Sequence, residues 1–449
     1  MQPAIAIGTL WLATRLGMLF ILLVPGRSIL NDTAYYFTSM SQPNATALAE
    51  YPTPILWIMR LFFFISGGHE VAFLGMVSGM TVVLDLLVTV TLYRMATPLT
   101  AGYWVVFLFL LGPIMWLRID LIPAACVTLA MLTQVGRPRL SGLMLALGAA
   151  TKFWPALLVI PAAGHSVNAR KYLPAFLTAG GLLGGISLVV DGWARSISPV
   201  LWQSQRGLQV ESLAATWAMI RHATSPGYDI VFMSHYKAWE VMGRGVAKGE
   251  FLSTLFTVAT VVLALVLAYL LVVRPRLSHA ETPADPADGL YAILLAQGAL
   301  IVAMIAVNKV LSPQYIIWLA GPLAILWGKA RETVHRRPAT IVAVLGCAVA
   351  AVTQVLFPFN YDALLTNPTG SLGATAILVV RNLLIGVMTV FVVVWALRLT
   401  WRLAGPPECR SLRCLARWLI GWDRPDGIAE PPDEGQVCDH ATNRTDDQG

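Results

Sequence analysis

Long apolar stretches alternate with short polar breaks along most of this chain, and the breaks are of two kinds. Stretches 4–25, 70–93, 251–273 and 374–397 each hold about 20 mostly apolar residues, the length at which an α-helix crosses roughly 30 Å of hydrocarbon. One kind of break is basic: Arg94, Arg137 with Arg139, Arg170 with Lys171, Arg274 with Arg276, Lys329 to Arg337, and Arg398 onward. A basic excess marks the cytoplasmic ends of membrane helices. Between successive basic breaks the chain goes out and returns, as in 99–116 with 119–135, 139–151 with 153–164, and 288–307 with 313–329. About twelve crossings with both termini cytoplasmic are therefore predicted.

The stretch 52–66 is too short to be one of them. It opens on Tyr51-Pro52-Thr53-Pro54 and carries Arg60, so it reads as an interfacial or re-entrant helix on the outer side. The runs on either side of Lys152 are also short, and broken helices at membrane depth are tolerated where they line a polar cavity. Two long outer loops are expected, 27–69 and 191–249, the second rich in aromatic and charged residues. The expected domains are a transmembrane domain over 1–405 and a cytoplasmic, largely disordered tail over 406–449, with a basic helix near 410–421. The first apolar stretch holds Arg15 at its middle and has no basic residue before it, so it reads as a retained helix rather than a cleaved signal.

Composition agrees. The 449 residues are 57% hydrophobic and 12% charged, about half the charge of a soluble domain. Apolar and polar residues do not alternate as they do in a membrane barrel. The net charge of +7 comes from helix ends rather than from one basic face, which speaks against nucleic acid as a partner and for membrane topology. Cysteines stand at 126, 347, 409, 414 and 438 without a CxxC pair; free thiols are expected, and no metal or other cofactor.

Charges that interrupt the apolar pattern cost roughly 2.5–3.5 kcal/mol each at the bilayer centre, so they carry the functional signal. Asp32 follows the first helix and, with Thr33, suits either a helix cap or a catalytic carboxylate. Arg118 and Asp120 lie between two apolar helices, as an ion pair at a tight turn or as ligands. Lys152, in Thr151-Lys152-Phe153-Trp154-Pro155, has no acidic neighbour in sequence and could snorkel or bind an anion. Arg206 and Glu211, in the second outer loop, offer a phosphate-binding fork or a surface ion pair. Lys309 precedes Ser312-Pro313-Gln314-Tyr315, part of which is a helix start. His235 is a simple loop histidine or a proton-transfer group, and Trp193, Trp202 and Trp239 suit either a glycan face or the membrane interface. Asp85, deep in the second apolar stretch, belongs to neither the outer set nor a basic break. It is the charge that best fits the rival reading of a transporter or lipid flippase.

Taken together, the motifs Asp32, Tyr51-Pro52, Arg118-x-Asp120, Lys152-x-x-Pro155, Arg206-Gly207-Leu208-Gln209-x-Glu211-Ser212 and Lys309-x-x-Ser312-Pro313-Gln314-Tyr315 resemble a known family over about residues 5 to 400. It is the polyprenol-phosphate-sugar-dependent glycosyltransferases of the C-type membrane fold, especially family 87 of actinobacterial mannosyltransferase-like proteins. The sequence departs from that pattern at Tyr51-Pro52-Thr53-Pro54, where Tyr-Pro-Pro is expected. The resemblance implies an all-α polytopic fold at the plasma membrane with its site on the outer face. It implies a polyprenyl-phosphate sugar donor, mannose in that family, and a lipid-linked or glycan acceptor in cell-envelope glycolipid or lipoglycan synthesis. It further implies Asp32 as catalytic base and Lys152, Arg206, Lys309 and Arg118 on the donor phosphate. Tyr51, Asp120, Glu211, Gln314 and His235 would then contact substrate.

Overall fold

The computed structural model describes residues 2–23, 31–42, 47–164, 166–273 and 286–404. The tail, with Cys409, Cys414, Cys438 and the helix expected near 410–421, lies outside the described residues. What is described is helical in the apolar stretches: α1 (Pro3–Leu23), α2 (Asn31–Ser41), α3 (Thr53–Ile65), α4 (Glu70–Met95), α5 (Pro98–Leu111), α6 (Leu121–Thr133), α7 (Pro138–Thr151), α8 (Val159–Ala162), α9 (Ser166–Gln205), α10 (Thr216–Thr224) and α11 (Val246–Ala268). After the undescribed 274–285 come α12 (Pro286–Val307), α13 (Ala320–Ala330), α14 (Arg336–Leu356), α15 (Tyr361–Leu365) and α16 (Leu372–Leu403). Among the described residues seven helices are long and apolar enough to cross a membrane: α1, α4, α9, α11 with its continuation to Val272, α12, α14 and α16. The protein is thus an all-α polytopic membrane protein in its length and composition.

The centre of the bundle is α12. Its apolar window is 78% buried against 6% for α9, which places α9 on the lipid-facing rim and α12 in the core. Leu294, Leu295, Ala299, Leu300 and Ile301 of α12 are fully enclosed, and α16, α11, α13 and α8 pack against this helix. Close approach is achieved by glycine: a Cβ at Gly321 of α13 would collide with Thr128 of α6. Small residues at helix contacts are the rule where lipid gives no hydrophobic drive to associate.

Asp85 proves to be a structural knot. Its carboxylate accepts from Arg15 Nε at 2.7 Å and Nη2 at 2.7 Å, from Trp11 Nε1 at 2.8 Å and from Trp104 Nε1 at 2.9 Å. Arg15 also donates to the Val105 carbonyl at 3.0 Å. Both charges are buried, so the pair joins α1, α4 and α5 inside the apolar zone with its polar valences filled.

The segment 52–66 forms α3, 13 residues long and hence about 20 Å, the same length as α6. It is tied to α9 through Asp191, which accepts from Trp57 Nε1 at 2.9 Å and pairs with Arg60 at 3.3 Å. At Gly192, with φ of +78°, α9 bends; a left-handed turn there favours a residue without a Cβ. Beyond the bend, Arg195 donates to the Tyr51 and Leu48 carbonyls at 3.1 and 3.0 Å, and Ser198 to the Ala49 carbonyl at 2.9 Å. The turn 47–50, in which Leu48 itself is left-handed, is thereby held in place.

The region 191–249 differs from the loop expected there. It begins with the last turns of α9, then forms α10 and an antiparallel hairpin, β1 (Tyr228–Met233) with β2 (Ala238–Gly243), in which Phe232 faces Trp239. The segment 208–210 runs along β2, with Val210 N–H donating to the Trp239 carbonyl and Val241 N–H to that of Leu208. Arg381 of α16, wholly buried, pairs with Glu211 at 2.6 Å and also donates to the Glu211 carbonyl. Asn382 reaches Thr216 at 2.8 Å. An otherwise mobile class of structure is thus fastened to the bundle.

Candidate functional site

A cavity of about 300 Å³ opens where the short helices meet the hairpin region. Each wall begins at a break in regular structure. α5 ends at Gly112, with φ of +84°, and a tight turn over Pro113–Trp116 follows, presenting Arg118 and Asp120. α7 stops where Lys152 becomes extended, and a 3-10 turn over Trp154–Leu158 follows. A second 3-10 turn, Pro313–Leu319, precedes α13. The basic residues Arg137 and Lys329 stand at the opposite ends of α7 and α13, so the cavity and the basic breaks occupy opposite ends of the same helices.

Lys152 stands on an aromatic floor. Its Nζ lies 4.0 Å from the centroid of Tyr315 and 5.1 Å from that of Trp318, and Trp318 stacks on Tyr315 at 4.5 Å and on Trp154 at 4.7 Å. The acidic neighbour missing from the sequence comes from a distant turn: Asp120 Oδ1 is 2.6 Å from Nζ and accepts from Trp318 Nε1 at 3.0 Å. Asp120 is 1% exposed, so it acts behind Lys152 and does not itself line the cavity. A lysine with one donor engaged and its ring contacts beneath it keeps donors for an anion above.

Arg118 lines the same wall and is buried. Burial pushes its pKa down to about 10, against the attraction of Asp120, so it stays cationic at neutral pH. Arg206 approaches from the end of α9 with its guanidinium 5.9 Å from the Tyr236 ring. The next peptide N–H, of Gly207, donates to Glu240 Oε1 at 3.1 Å; a Cβ at Gly207 would strike that carboxylate. Lys237 also lines the cavity. Arg206 Nε and Gln314 Oε1 are buried without a hydrogen-bond partner among the described residues, and both side chains line the cavity.

A carboxylate faces this cationic wall. Glu50 accepts from the Tyr35 hydroxyl at 3.2 Å, beside the Tyr36 and Tyr51 hydroxyls, which meet at 3.3 Å. Burial raises the Glu50 pKa above the ordinary carboxylate value; the Tyr35 hydrogen bond and the charges of Arg206 and Arg195 oppose the rise. A group so poised takes up a proton more readily than a solvated carboxylate.

The cavity therefore brings together Tyr51, Arg118, Lys152, Arg206, Glu211 and Gln314 of the residues picked out in the sequence. Lys309 stands outside it, donating from Nζ to the Ser204 carbonyl at 3.1 Å, while its own carbonyl accepts from Gln209 N–H at 3.0 Å. His235 packs tilted against Trp202, ring centroids 4.5 Å apart, and its neighbours Tyr236 and Lys237 face the cavity instead. The Asp32 side chain lies outside the described residues. Its position is the second in α2, and Tyr35 and Tyr36, three and four residues later, line the cavity. Glu50, Tyr35 and Tyr36 were not singled out from the sequence, although Glu50 adjoins Tyr51. Tyr361 and Asp362, which also line the cavity, follow an apolar helix with nothing local to mark them.

Four cations around a buried carboxylate and an aromatic floor suit an anionic, partly apolar ligand such as a phosphate ester. Among the described residues no three His, Cys, Asp or Glu side chains are grouped to hold a metal ion. No protein-family model matches the chain, and no curated protein matches its sequence.

Proposed function

We propose that this protein is a membrane glycosyltransferase that moves a sugar, mannose by the resemblance, from a polyprenyl-phosphate donor to a lipid-linked or glycan acceptor. The observation that carries the reading is the cavity itself. Arg118, Lys152, Arg206 and Lys237 come from four separate parts of the chain and surround one space that Glu50 also lines. In this reading the chain crosses the plasma membrane twelve times, the basic helix ends are cytoplasmic and the cavity opens on the outer face.

Lipid-linked transfer needs little else. The acceptor hydroxyl oxygen attacks C1 of the sugar, the C1–O bond to phosphate breaks, and the polyprenyl phosphate leaves with the bonding pair. The hydroxyl proton passes to a carboxylate, for which Asp32 is the assigned base. The leaving group gains negative charge, which Lys152, Arg118 and Arg206 stabilise. Position 32 stands one turn before Tyr35 and Tyr36, in keeping with such a role. Trp239, which also lines the cavity, offers a ring to a sugar.

The transport alternative drew on Asp85 as an unexplained intramembrane charge. With four donors on its carboxylate, Asp85 supports a structural role instead. The test is single-turnover transfer from a radiolabelled short-chain polyprenyl-phosphate mannose to membrane lipid acceptors. Wild type is expected to transfer label and Asp32→Asn to fold normally with transfer slowed by about 10²–10⁴-fold. Unchanged turnover in Asp32→Asn removes the base assignment, and a matched Glu50→Gln variant shows whether the proton goes there. Substrate flux in vesicles without any transfer overturns the enzyme.

A further inference from the structure

A second cavity, of about 1050 Å³, runs as an open groove along α16. One face of that helix forms its wall: Leu383, Val387, Val390 and Val394 recur at intervals of three and four residues, and all are exposed. An apolar stripe of that spacing on a membrane helix meets lipid or another helix. Gly386 lies in the middle of the stripe. A Cβ built there meets nothing within 4 Å, so this glycine deepens the groove and does not admit a neighbouring helix of the bundle.

The two ends of the groove are unlike. At the level of Asn382, α10 closes it: Thr216 and Ile220 line the space, and Asn382 Nδ2 donates to Thr216 Oγ1 at 2.8 Å. At the other end, about 24 Å further along α16 at 1.5 Å per residue, the lining is Pro338 and Arg398. Trp395, also in the lining, packs 6.0 Å from His335 and 5.9 Å from Tyr291, which holds the start of α14 beside α16. Arg336 and Arg337 stand between His335 and Pro338, and both are exposed, as is Arg398. The Arg398 side chain makes no ion pair or hydrogen bond among the described residues. Of the acids at this end, Asp288 is turned to His335 at 3.6 Å, and neither it nor Glu332 lines the groove.

We infer that this groove holds an anionic diacyl phospholipid, its phosphate among Arg398, Arg336 and Arg337 and its acyl chains lying along α16 beneath α10. Charge and shape select the occupant together. Basic pockets between membrane helices bind anionic lipid headgroups. A second copy docked symmetrically by the same face would set Arg398 against Arg398, and a transmembrane helix of another protein would have to pass α10, whereas lipid chains end under it. On the proposed topology the arginines are cytoplasmic, so the lipid belongs to the inner leaflet, at the opposite end of the bundle from the polar cavity. This lipid site holds whether or not the protein transfers sugar. It also reaches the polar cavity through α10, which carries His222; the ring nitrogens of His222 meet the Tyr228 and Thr366 carbonyl oxygens at 2.8 and 3.0 Å. Chains packed under α10 thereby brace the hairpin that walls the cavity.

The experiment titrates the full chain in detergent with phosphatidylglycerol, or with phosphatidylcholine of the same acyl chains, and follows bound lipid by native mass spectrometry and stability by thermal unfolding. Phosphatidylglycerol is expected to bind and to raise the melting temperature, and phosphatidylcholine to do neither at the same concentration. Arg398→Gln, at an exposed position, is expected to weaken phosphatidylglycerol binding about fivefold, one basic side chain's share of the attraction to an anionic headgroup. Gly386→Leu fills the groove from within; its side chain enters open space and favours helix over glycine, so binding is expected to be lost with no fall in the melting temperature of the lipid-free protein. A diazirine-tailed phosphatidylglycerol in nanodiscs is expected to label peptides of α16 and α10. Equal effects of the two lipids, binding unchanged in Gly386→Leu or in Arg398→Gln, or labelling confined to other helices overturns the proposal. So does a disulfide that links two Gly386→Cys copies in oxidised membranes and is absent from the wild type, because it seats a second copy in the groove.

Discussion

Replacing Asp85 by asparagine removes the one negative charge in a buried cluster that holds Arg15, Trp11 and Trp104. Arg15 is 5% exposed and cannot reach water without pulling α1 from α4 and α5. Breaking a buried pair by removing one partner costs about 3–5 kcal/mol, because the remaining charge is stranded. Asp85→Asn is therefore expected to lower the stability of the purified protein by that amount, read as unfolding in a mixed-micelle denaturant titration. The double variant Arg15→Met with Asp85→Leu removes both charges and is expected to recover the larger part. What stays lost is the acceptor of two indole N–H groups, about 1 kcal/mol each. Transfer rate per folded molecule is expected to stay at the wild-type value in both. An Asp85→Asn variant as stable as wild type, or a double variant no more stable than the single, would refute this account of the knot.

Three further outcomes follow from the same geometry. Arg381→Met is expected to destabilise by about 3–5 kcal/mol through stranded Glu211, and limited proteolysis should then cut within 206–243, while Arg381→Met with Glu211→Leu should restore resistance. Lys152→Met is expected to slow donor-dependent transfer by about 10²-fold, whereas Asp120→Asn, which leaves the ammonium in place, should act mainly on donor KM; steady-state kinetics on both variants check this. Glu50, whose folded pKa is raised by burial, binds a proton more tightly folded than unfolded. Its stabilising contribution is therefore full below its unfolded value of about 4.3 and fades as pH rises through the folded one. The stability advantage of wild type over Glu50→Gln should shrink with rising pH, and melting of both proteins from pH 4 to 8 measures it.

Helix ends and breaks were readable because they are local. Proline at 113, 155 and 313 and the charges at 118, 152 and 309 interrupt apolar runs, and the structure breaks its helices there. The shortness of 52–66 was legible as well, and the structure makes it the 13-residue helix α3. Pairings were not readable, because they join residues far apart in sequence: Lys152 finds Asp120, Glu211 finds Arg381, and Asp85 finds Arg15. The hairpin 228–243 was hidden for a different reason. Its residues, including Phe232, Trp239 and Val241, fit an irregular aromatic loop as well as a strand until segment 208–210 pairs beside them. Lys309 looked equal to Lys152 by its helix-end position, yet it stands outside the cavity, where its ammonium donates to the Ser204 carbonyl.

The brevity of α7 sets a depth. Its 14 residues rise about 21 Å at 1.5 Å per residue, so from the level of Arg137 its far end falls short of a 30 Å hydrocarbon layer by roughly 9 Å. On the proposed twelve-span topology, Lys152 ends its helix below the plane at which phospholipid headgroups of an undisturbed bilayer begin. Either water funnels down to it through the cavity or the surrounding bilayer thins to meet it, as membranes do around short spans. Where the bilayer thins, the surface of the membrane is dimpled over this protein. A phosphate anchored to a long lipid can sink into the dimple and reach the ammonium without its chain being drawn out of the hydrocarbon.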